Sequence, residues 1–410
     1  TIGGSYFYNN RNLYSYGATM ANYNKNTVQT NTNYRGYVKF SQRFPGSSES
    51  TSAFKNFFYA IQIDYTKDKG EFGDPNHWDN LFDYGYIGKF TTYKTPTFEL
   101  GSDTVDGVFY DDVWLLNSWN FDTLVTWDPR NTNPLVAEYT NNYYTVYGGF
   151  PEGHYENLDQ IMLGGGLVNG STPQAIYQLY QSPGTNQSGY GKYNNDQYNI
   201  RVDASLDIKN HALKLGFQYE QRVNSFVNYG PTGLWNLMRG LTNFHIEQLD
   251  LDNPELVSYD GHVDTILYPR KYDANSQTVF DENLRMAMGL PVDGLDYIEI
   301  DSYDISNSTI EYYDKDGVRH TSTLDPNALN VGLFSPDELW NNGSSYINYS
   351  GLSYTGERLP EQPAFSDFFT ATDEDGMYTR PLGAFSPIYM AGYIQDQFAF
   401  KDLIFNVGVR

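Results

Sequence analysis

The sequence IRVDASLDIKNHALKLGFQYEQR, residues 200–222, alternates between apolar and polar side chains on both sides of a short polar turn. Because successive side chains of a β-strand point to opposite faces, this alternation gives each of two strands one apolar face. The apolar positions are Ile200, Val202, Ala204, Leu206 and Ile208 before the turn, and Leu213, Leu215, Phe217 and Tyr219 after it. The stretch therefore predicts a β-hairpin with its turn at Lys209-Asn210-His211.

The opposite face of this hairpin is charged, with Arg201 and Asp203 on the first strand and Lys214 and Glu220 on the second. A soluble β-sandwich gives the same alternation, but charges at successive positions are typical of a wall between lipid and a wet lumen. Each strand is also close to the roughly 9 to 11 residues that a tilted strand needs to cross a bilayer. We therefore expect an all-β fold that forms part of a large antiparallel transmembrane β-barrel. The expected lipid-facing residues are Ile200, Val202, Leu206, Leu215 and Phe217.

Other stretches follow the same design. Residues 34–44 and 57–66 alternate around a turn at Pro45-Gly46-Ser47, and residues 389–398 and 403–410 alternate around Lys401-Asp402. Residues 84–98 form one more candidate strand, with Pro96 near its end, where ladder hydrogen bonding lapses. Spanning hairpins are therefore predicted along much of the chain.

Two segments between these hairpins, roughly 99–197 and 224–386, are far longer than ordinary connections. They contain signals of ordered structure. Ser335-Pro336-Asp337-Glu338 is typical of a helix start, and residues 284–288 followed by Gly289 of a helix end. Residues 310–323 predict a small hairpin. Short turns at one end and long structured loops at the other are typical of outer-membrane barrels, so we expect both segments to be extracellular.

The composition agrees with a protein outside the cytoplasm. Aromatic residues make up 17% of the 410 residues, and 38 are Tyr, which is favoured at membrane interfaces and at sugar- or peptide-binding surfaces. The absence of Cys excludes a disulfide scaffold. A formal charge of -24 disfavours nucleic acid as a partner. No apolar run approaches the roughly 18 residues of a membrane-spanning helix.

Signatures of catalysis are incomplete. The six His residues never have zinc-ligand spacing, and no Ser lies in a G-x-S-x-G elbow. Acidic clusters at Asp250/Asp252, at Asp314/Asp316 and at 373–375 lack the full ligand spacing of a calcium loop, and turn formation accounts for them. We therefore expect no enzymatic activity, no cofactor and no metal site.

Aromatic and acidic residues are concentrated between residues 109 and 147. Stacking rings beside hydrogen-bond acceptors suit sugars, peptides or aromatic chelates. The candidate ligand-binding residues are Trp114, Trp119, Trp127, Tyr143 and Tyr144. The alternative is that these rings pack the loops together and form an outer aromatic girdle.

Several strings resemble the barrel of TonB-dependent outer-membrane receptors of the Bacteroidota type. They are GYIGKFTTYKTPTFE from Gly85, ENLDQIMLGGGLVNG from Glu156, DIKNHALKLGFQYEQR from Asp207, GLPVDGLDYIEIDSYD from Gly289, LFSPDELWNNG from Leu333 and PIYMAGYIQDQFAFKDLIFNVGVR from Pro387. The AGYIQDQF strand and turn and the FQYEQR strand end are the most diagnostic. The resemblance implies a 22-stranded barrel with an N-terminal plug, located in the cell outer membrane of a Gram-negative organism.

On this resemblance, residues 1–410 form the barrel region alone, without the plug, the TonB box or the closing C-terminal strands. The implied function is import of a siderophore, an oligosaccharide, a peptide or another small molecule with energy supplied by TonB. A passive porin or a secretion barrel would share the strands without needing a plug. A soluble, secreted glycan-binding β-protein would instead bury the face that carries Ile200.

Overall fold

β-Strands dominate the molecule. The computed structural model describes residues 1–44, 54–147, 157–175, 179–187, 189–400 and 402–410. Strands account for 48% and helices for 18%, so the predicted all-β class is confirmed. The strands are β1 (Ile2–Asn12), β2 (Val28–Phe44), β3 (Phe54–Gly73), β4 (Gly88–Val105), β5 (Val108–Pro129), β6 (Tyr190–Ile208), β7 (His211–Tyr229), β8 (Glu255–Tyr259), β9 (His262–Leu267), β10 (Tyr297–Asp304), β11 (Thr309–Tyr313), β12 (Arg319–Thr323), β13 (Ile347–Ser350), β14 (Ile388–Phe400) and β15 (Leu403–Val409).

Short helices occur between the strands. The α-helices are α1 (Pro134–Tyr147), α2 (Leu158–Leu163), α3 (Leu234–Leu241), α4 (Val279–Met288), α5 (Pro336–Trp340) and α6 (Asp367–Thr370). Single turns of 3₁₀ helix lie at Tyr16–Ala18, Tyr23–Lys25, Leu81–Tyr84, Pro231–Gly233, Phe244–Ile246, Pro326–Ala328, Val331–Leu333 and Asn341–Gly343. Among the described residues, no helix is both long enough and apolar enough to cross a membrane.

The largest sheet, called the wall sheet below, has eight strands in the order β1-β2-β3-β6-β7-β14-β15, with β13 beside the end of β7. Its strands all pair antiparallel. β6 and β7 are the hairpin predicted from residues 200–222, and Val202 lies opposite Phe217. The turn is shorter than predicted, because His211 already pairs with Ile208 and Lys209 reverses the chain with a φ of 54°.

The other two predicted hairpins also form in the wall sheet. β2 and β3 pair Val38 with Ile63, and β14 and β15 pair Phe398 with Phe405. The predicted turn at 45–47 and Lys401 lie outside the described residues. β2 and β3 reach 17 and 20 residues, longer than their alternating stretches. Backbone pairing continues into polar sequence because the ladder hydrogen bonds do not depend on the side chains.

The wall sheet is open. β1 and β15 lie at its two edges, so the molecule is not a closed barrel. The antiparallel β-sheet of the prediction is therefore confirmed, whereas its closed 22-stranded barrel is not seen.

Connections at the two ends of the wall sheet differ greatly in length. At one end, β6–β7 and β14–β15 are joined by two residues each. At the other end the chain leaves the sheet for residues 13–27, 74–189 and 230–387. The predicted asymmetry between short turns and long segments is thus present. The predicted bounds 99–197 and 224–386 are wrong at the start of the first segment, because the chain leaves β3 at Gly73. They also differ by several residues where β6 begins at Tyr190 and where β7 ends at Tyr229.

The candidate strand at 84–98 explains this difference. Leu81–Tyr84 is a 3₁₀ helix, and β4 begins at Gly88 and joins a separate four-stranded sheet with the order β4-β5-β9-β8. The ladder between β4 and β5 shifts register between Thr95 and Thr97, as Pro96 predicts. The strand therefore exists, but it belongs to the long segment and not to the wall.

The three long segments fold together into a second body, called the cap below (residues 13–27, 74–189 and 230–387). It contains the four-stranded sheet and a three-stranded sheet with the order β10-β11-β12. Its largest hydrophobic cluster includes Trp235, Phe280 and Ile310, and also Tyr190, Val227 and Tyr229 from the ends of β6 and β7. The cap is therefore packed onto one end of the wall sheet.

The structure confirms the local predictions made for the cap. Ser335 forms a capping box with Glu338 at the start of α5. Gly289 ends α4 in the left-handed conformation, with a φ of 72°. Residues 309–323 form the predicted hairpin, which β10 extends to a three-stranded sheet.

Ion pairs join the two largest segments of the cap. Arg239 in α3 contacts Asp301 at 2.7 Å and also donates to the backbone oxygen of Asn169 at 3.0 Å. Arg130 contacts Asp304 at 2.9 Å, and this guanidinium holds the pKa of Asp304 at about 2. The Arg130–Asp304 pair and the bond from Arg239 to Asn169 therefore connect segments 74–189 and 230–387, whereas Arg239 and Asp301 both belong to segment 230–387.

Glu299 is the basis for a first prediction. Burial raises its pKa to about 7, although Lys94 lies 3.4 Å away, because Lys94 is also bonded to Asp122. A raised carboxyl pKa contributes stability that is fully present below the unfolded value of 4.5 and is lost as the pH rises through about 7. Between pH 5 and pH 8 this loss should approach roughly 3 kcal/mol.

Glu299→Gln should therefore flatten the pH dependence of cap stability and stabilise the cap at pH 8. Urea titrations monitored by Trp fluorescence at pH 5 and pH 8 measure this. Glu255→Gln on the exposed strand β8 is the matched control and should keep the wild-type pH dependence. An unchanged dependence in Glu299→Gln would contradict the assignment.

Candidate functional site

One face of the wall sheet is mainly apolar across its seven long strands. Asp396 interrupts it between Leu213 and Val407 and contacts His211 at 2.6 Å. The ladder registers place Val38, Ile63, Ile200 and Tyr219 side by side, and Leu215 beside Ile394. This surface is called the apolar band below. Its members are Ile2, Val38, Ile61, Ile63, Ile200, Val202, Ala204, Leu206, Leu213, Leu215, Phe217, Ile394, Val407 and Val409.

The apolar band is open to its surroundings. Ile63 is 55% exposed, Phe217 46% and Leu215 39%. None of the band residues belongs to the three buried hydrophobic clusters. All five residues predicted to face lipid, Ile200, Val202, Leu206, Leu215 and Phe217, lie on this one face.

Aromatic rings border the apolar band on both sides. Towards the cap lies an upper row, in which Tyr6 contacts Tyr34 at 5.3 Å between ring centroids and Tyr65 contacts Tyr198 at 5.2 Å. Towards the short turns lies a lower row, which includes Phe44 against Phe57 at 5.8 Å and Phe398 against Phe405 at 5.2 Å. On β3 the two rows are eight residues apart, or roughly 26 Å.

The opposite face of the wall sheet is polar. Arg35 contacts Asp64 at 3.0 Å, and Arg201 contacts Asp203 at 2.8 Å. Asp64 accepts two further bonds from Gln62. Charged side chains on this face thus find partners within the sheet, and the two faces have opposite preferences for water.

A cavity of about 480 Å³, called the junction pocket below, lies where the cap meets the wall sheet. Tyr190 and Tyr229 lie opposite each other on β6 and β7, with their rings stacked at 6.2 Å. From the cap, Trp235 lies 6.3 Å from Tyr303. The volume of this cavity and its aromatic lining are typical of pockets that bind small organic ligands.

Polar groups in the junction pocket come from two loops of the cap. Asp79 and Asn80 precede the 3₁₀ helix at Leu81–Tyr84 and Asp83 lies within it, whereas Asn327 and Asn330 lie near the turn at Val331–Leu333. Burial raises the pKa of Asp83 above its ordinary range. The pocket therefore offers carboxyl and amide groups next to aromatic rings.

The five predicted ligand-binding residues do not converge. Trp114 and Trp127 are thirteen residues apart on β5, or roughly 40 Å along an extended strand. Trp119 donates to the backbone oxygen of Tyr268 at 2.7 Å. A single small ligand cannot touch all three tryptophans.

Three of those residues pack inside the cap. Trp127 lies 4.5 Å from the ring of Phe90 and donates to Asn141 at 2.7 Å. Tyr143 is buried in the same cluster, and Tyr144 donates to the backbone oxygen of Val125 at 2.9 Å. Of the five residues, Trp114 is the most exposed, at 45%.

The acidic clusters form turns. Asp314 accepts bonds from the backbone N–H of Asp316 and Val318, and Asp373 accepts from Asp375 and Met377. No group of three or more His, Asp or Glu side chains in the described part of the chain is arranged to hold a metal ion.

The sequence did not predict the aromatic residues that line the junction pocket. Tyr190 and Tyr229 lie beyond the 200–222 stretch, and Trp235 and Tyr303 are distant from both in the chain. The one sequence signal is that alternation with Tyr continues outward along both strands of the hairpin. No protein-family model matches this sequence, and no curated protein or solved structure matches it.

Proposed function

We propose that this chain is a sector of a transmembrane barrel wall with an extracellular cap, and that it belongs to an outer-membrane receptor that binds a ligand and imports it with energy supplied by TonB. The observation that carries the proposal is the two-faced wall sheet. Its apolar band faces lipid and its charged face lines the lumen. The aromatic rows take the interfacial positions at the two borders.

The dimensions support a membrane location. The rows are separated by roughly 26 Å along β3, which corresponds to roughly 20 Å of membrane height for a strand tilted by about 35–45°, somewhat less than the apolar band of about 25 Å in outer-membrane barrels. A soluble β-protein would have to cover this face, since monomeric soluble proteins rarely expose contiguous apolar patches above a few hundred Å². Seven neighbouring strands contribute to the band, so it exceeds such a patch.

The cap favours a receptor over a passive porin. It is a folded body with its own hydrophobic clusters and with ion pairs between its segments, such as Arg130–Asp304 and Lys89–Glu311, whereas a pore needs only loops that restrict its mouth. The junction pocket lies where such a body meets the wall, on the face of the apolar band but beyond the upper aromatic row, since Tyr190 and Tyr229 share the parity of Ile200 and Leu215. The coupling to TonB rests on the sequence resemblance.

The junction pocket indicates the ligand class. Tyr190, Tyr229 and Tyr303 line the pocket with 6%, 6% and 3% of their surface exposed, and the exposed Asp79 and Asn327 present hydrogen-bonding groups. Such a lining suits an oligosaccharide, a peptide or a small polar molecule, and its carboxyl groups disfavour anions.

Epitope tags test the proposed topology. A tag after the exposed Asn342 in the cap should be stained on intact cells, whereas a tag after Asn210 in the β6–β7 turn should be stained only after permeabilisation. Asn186, although in a predicted extracellular segment, is unsuitable because it bonds to the backbone oxygen of Tyr84 and to Asn133. Staining in the reverse order would contradict the proposal.

Side-chain truncation tests the pocket. A ligand is first selected from a panel of oligosaccharides and peptides by binding to the wild-type protein. The variant Asp79→Ala/Asp83→Asn/Asn327→Ala should then bind it at least about tenfold more weakly, as expected for a central polar contact. Trp114→Ala is the matched control, since Trp114 is exposed and remote from the pocket. A loss of affinity in Trp114→Ala alone would favour the tryptophan surface predicted from the sequence.

A further inference from the structure

A second cavity, of about 590 Å³, lies beside the upper aromatic row and is lined by an unusual concentration of cations. Lys67 and Lys69 from β3, Lys192 from β6 and Arg358 from the cap surround it. The whole chain has 26 basic and 50 acidic residues, so four cations around one cavity run against its composition. This cavity is called the basic pocket below.

The register of the wall sheet places the basic pocket on the lipid side. Lys67 and Lys69 follow Tyr65 at intervals of two residues and therefore share the face of Ile61 and Ile63. Lys192 shares the face of Tyr198 and Ile200 in the same way. Lys67 and Lys69 lie roughly 7 and 13 Å beyond the tyrosine row along the strand. At a strand tilt of about 35–45° these distances correspond to roughly 5 and 10 Å of height. Headgroups occupy roughly the first 5 to 7 Å outside the hydrocarbon core, so Lys67 lies within that layer and Lys69 at its outer edge.

Most of these cations lack an anionic partner in the protein. Among the described residues, no carboxylate oxygen lies within 4.0 Å of Lys69, Lys192 or Arg358. Lys67 is the exception, at 3.6 Å from Asp196. Glu71 is the acidic residue in the lining, and it accepts a bond from Tyr190 at 3.4 Å. The cavity therefore has an excess of positive charge.

We propose that the basic pocket binds the phosphate-bearing headgroup of a membrane lipid, with the acyl chains lying on the apolar band below it. The proposal rests on the proposed membrane location of the wall sheet. Lys and Arg near a membrane surface attract anionic headgroups, and the Lys69 ammonium lies 5.9 Å from the ring of Tyr34, a member of the upper aromatic row. A phosphate group supplies the anionic oxygens that Lys69, Lys192 and Arg358 lack.

The test uses the complete protein in dodecyl maltoside micelles, titrated with phosphatidic acid or with phosphatidylcholine. The wild type should bind phosphatidic acid at least about tenfold more tightly. Lys69→Gln/Arg358→Gln should lose about tenfold in affinity for phosphatidic acid. Lys192 is left intact because it also lines the junction pocket. The control Lys209→Gln/Lys315→Gln removes the same charge from two exposed turns and should bind like the wild type.

Equal affinity for the two lipids, or equal losses in both double variants, would overturn the proposal. Glycerol phosphate is added as a competitor, and complete displacement of phosphatidic acid at equal concentration would show a site for free phosphate and also overturn it. Resistance of the wild type to carbonate extraction from membranes is measured separately. Extraction of the wild type would refute the membrane location itself, whereas a membrane-bound protein without lipid preference would refute the basic pocket alone.

Discussion

Leu215→Arg is expected to prevent assembly of the protein into the outer membrane. Leu215 lies in the middle of the apolar band, between Ala204 and Ile394 in the ladder, and is 39% exposed. If this face contacts hydrocarbon, an Arg near the membrane midplane costs about 2 to 4 kcal/mol. Assembly is measured in outer-membrane extracts. The measured quantity is the fraction of the protein whose electrophoretic mobility depends on heating.

Ser205→Arg provides the matched control. Ser205 lies opposite Lys214, the neighbour of Leu215, at nearly the same depth but on the polar face. Asp203 and Asp207 flank it on that face and offset the added charge. Assembly should remain near the wild-type level. Equal sensitivity at both positions would show that the apolar band does not face lipid.

Arg239→Met is expected to destabilise the cap by about 3 to 5 kcal/mol. The Arg239 guanidinium binds both oxygens of Asp301, at 2.7 and 2.8 Å, and the backbone oxygen of Asn169. Only 6% of the Asp301 side chain is exposed, so the variant leaves a buried carboxylate with the Asn169 amide as its main partner. Urea unfolding followed by fluorescence reports the loss, since Trp235 lies in the same helix α3.

Two comparisons separate this effect from simple loss of charge. Lys315→Met removes a cation that faces Asp316 on the surface at 3.9 Å, and it should have little effect. Adding Asp301→Asn to Arg239→Met should restore part of the stability, because the buried charge is then removed. If the single and double variants are equally unstable, the unpaired carboxylate of Asp301 is not the cause of the loss.

Local sequence patterns predicted much of the fold. Alternation with a period of two identified the three hairpins of the wall sheet and the face that holds Ile200, Leu215 and Phe217, because side-chain direction in a strand depends only on position. Ser335 predicted a helix start and Gly289 a helix end for a similar reason, because helix-capping residues act on backbone groups within one turn.

Alternation does not identify the strand with which a given strand pairs. The sequence therefore predicted β4 but not the sheet to which it belongs. Pairing partners are chosen by contacts between residues far apart in the chain, which a local pattern does not encode. The same reason explains why Trp127 and Tyr143, which the sequence offered as candidate ligand-binding residues, lie in a packed cluster.

The sequence by itself therefore determined the all-β class, the two-faced strands and the unequal connections of this protein. Only the tertiary structure decided that the long segments form one cap and that its packing on the wall creates the junction pocket. Tyr190, Trp235 and Tyr303 meet there from three distant parts of the chain. Likewise, Arg358 joins Lys69 and Lys192 only through the fold. Period and capping are properties of neighbouring residues, whereas pockets arise from burial of surfaces that folding brings together.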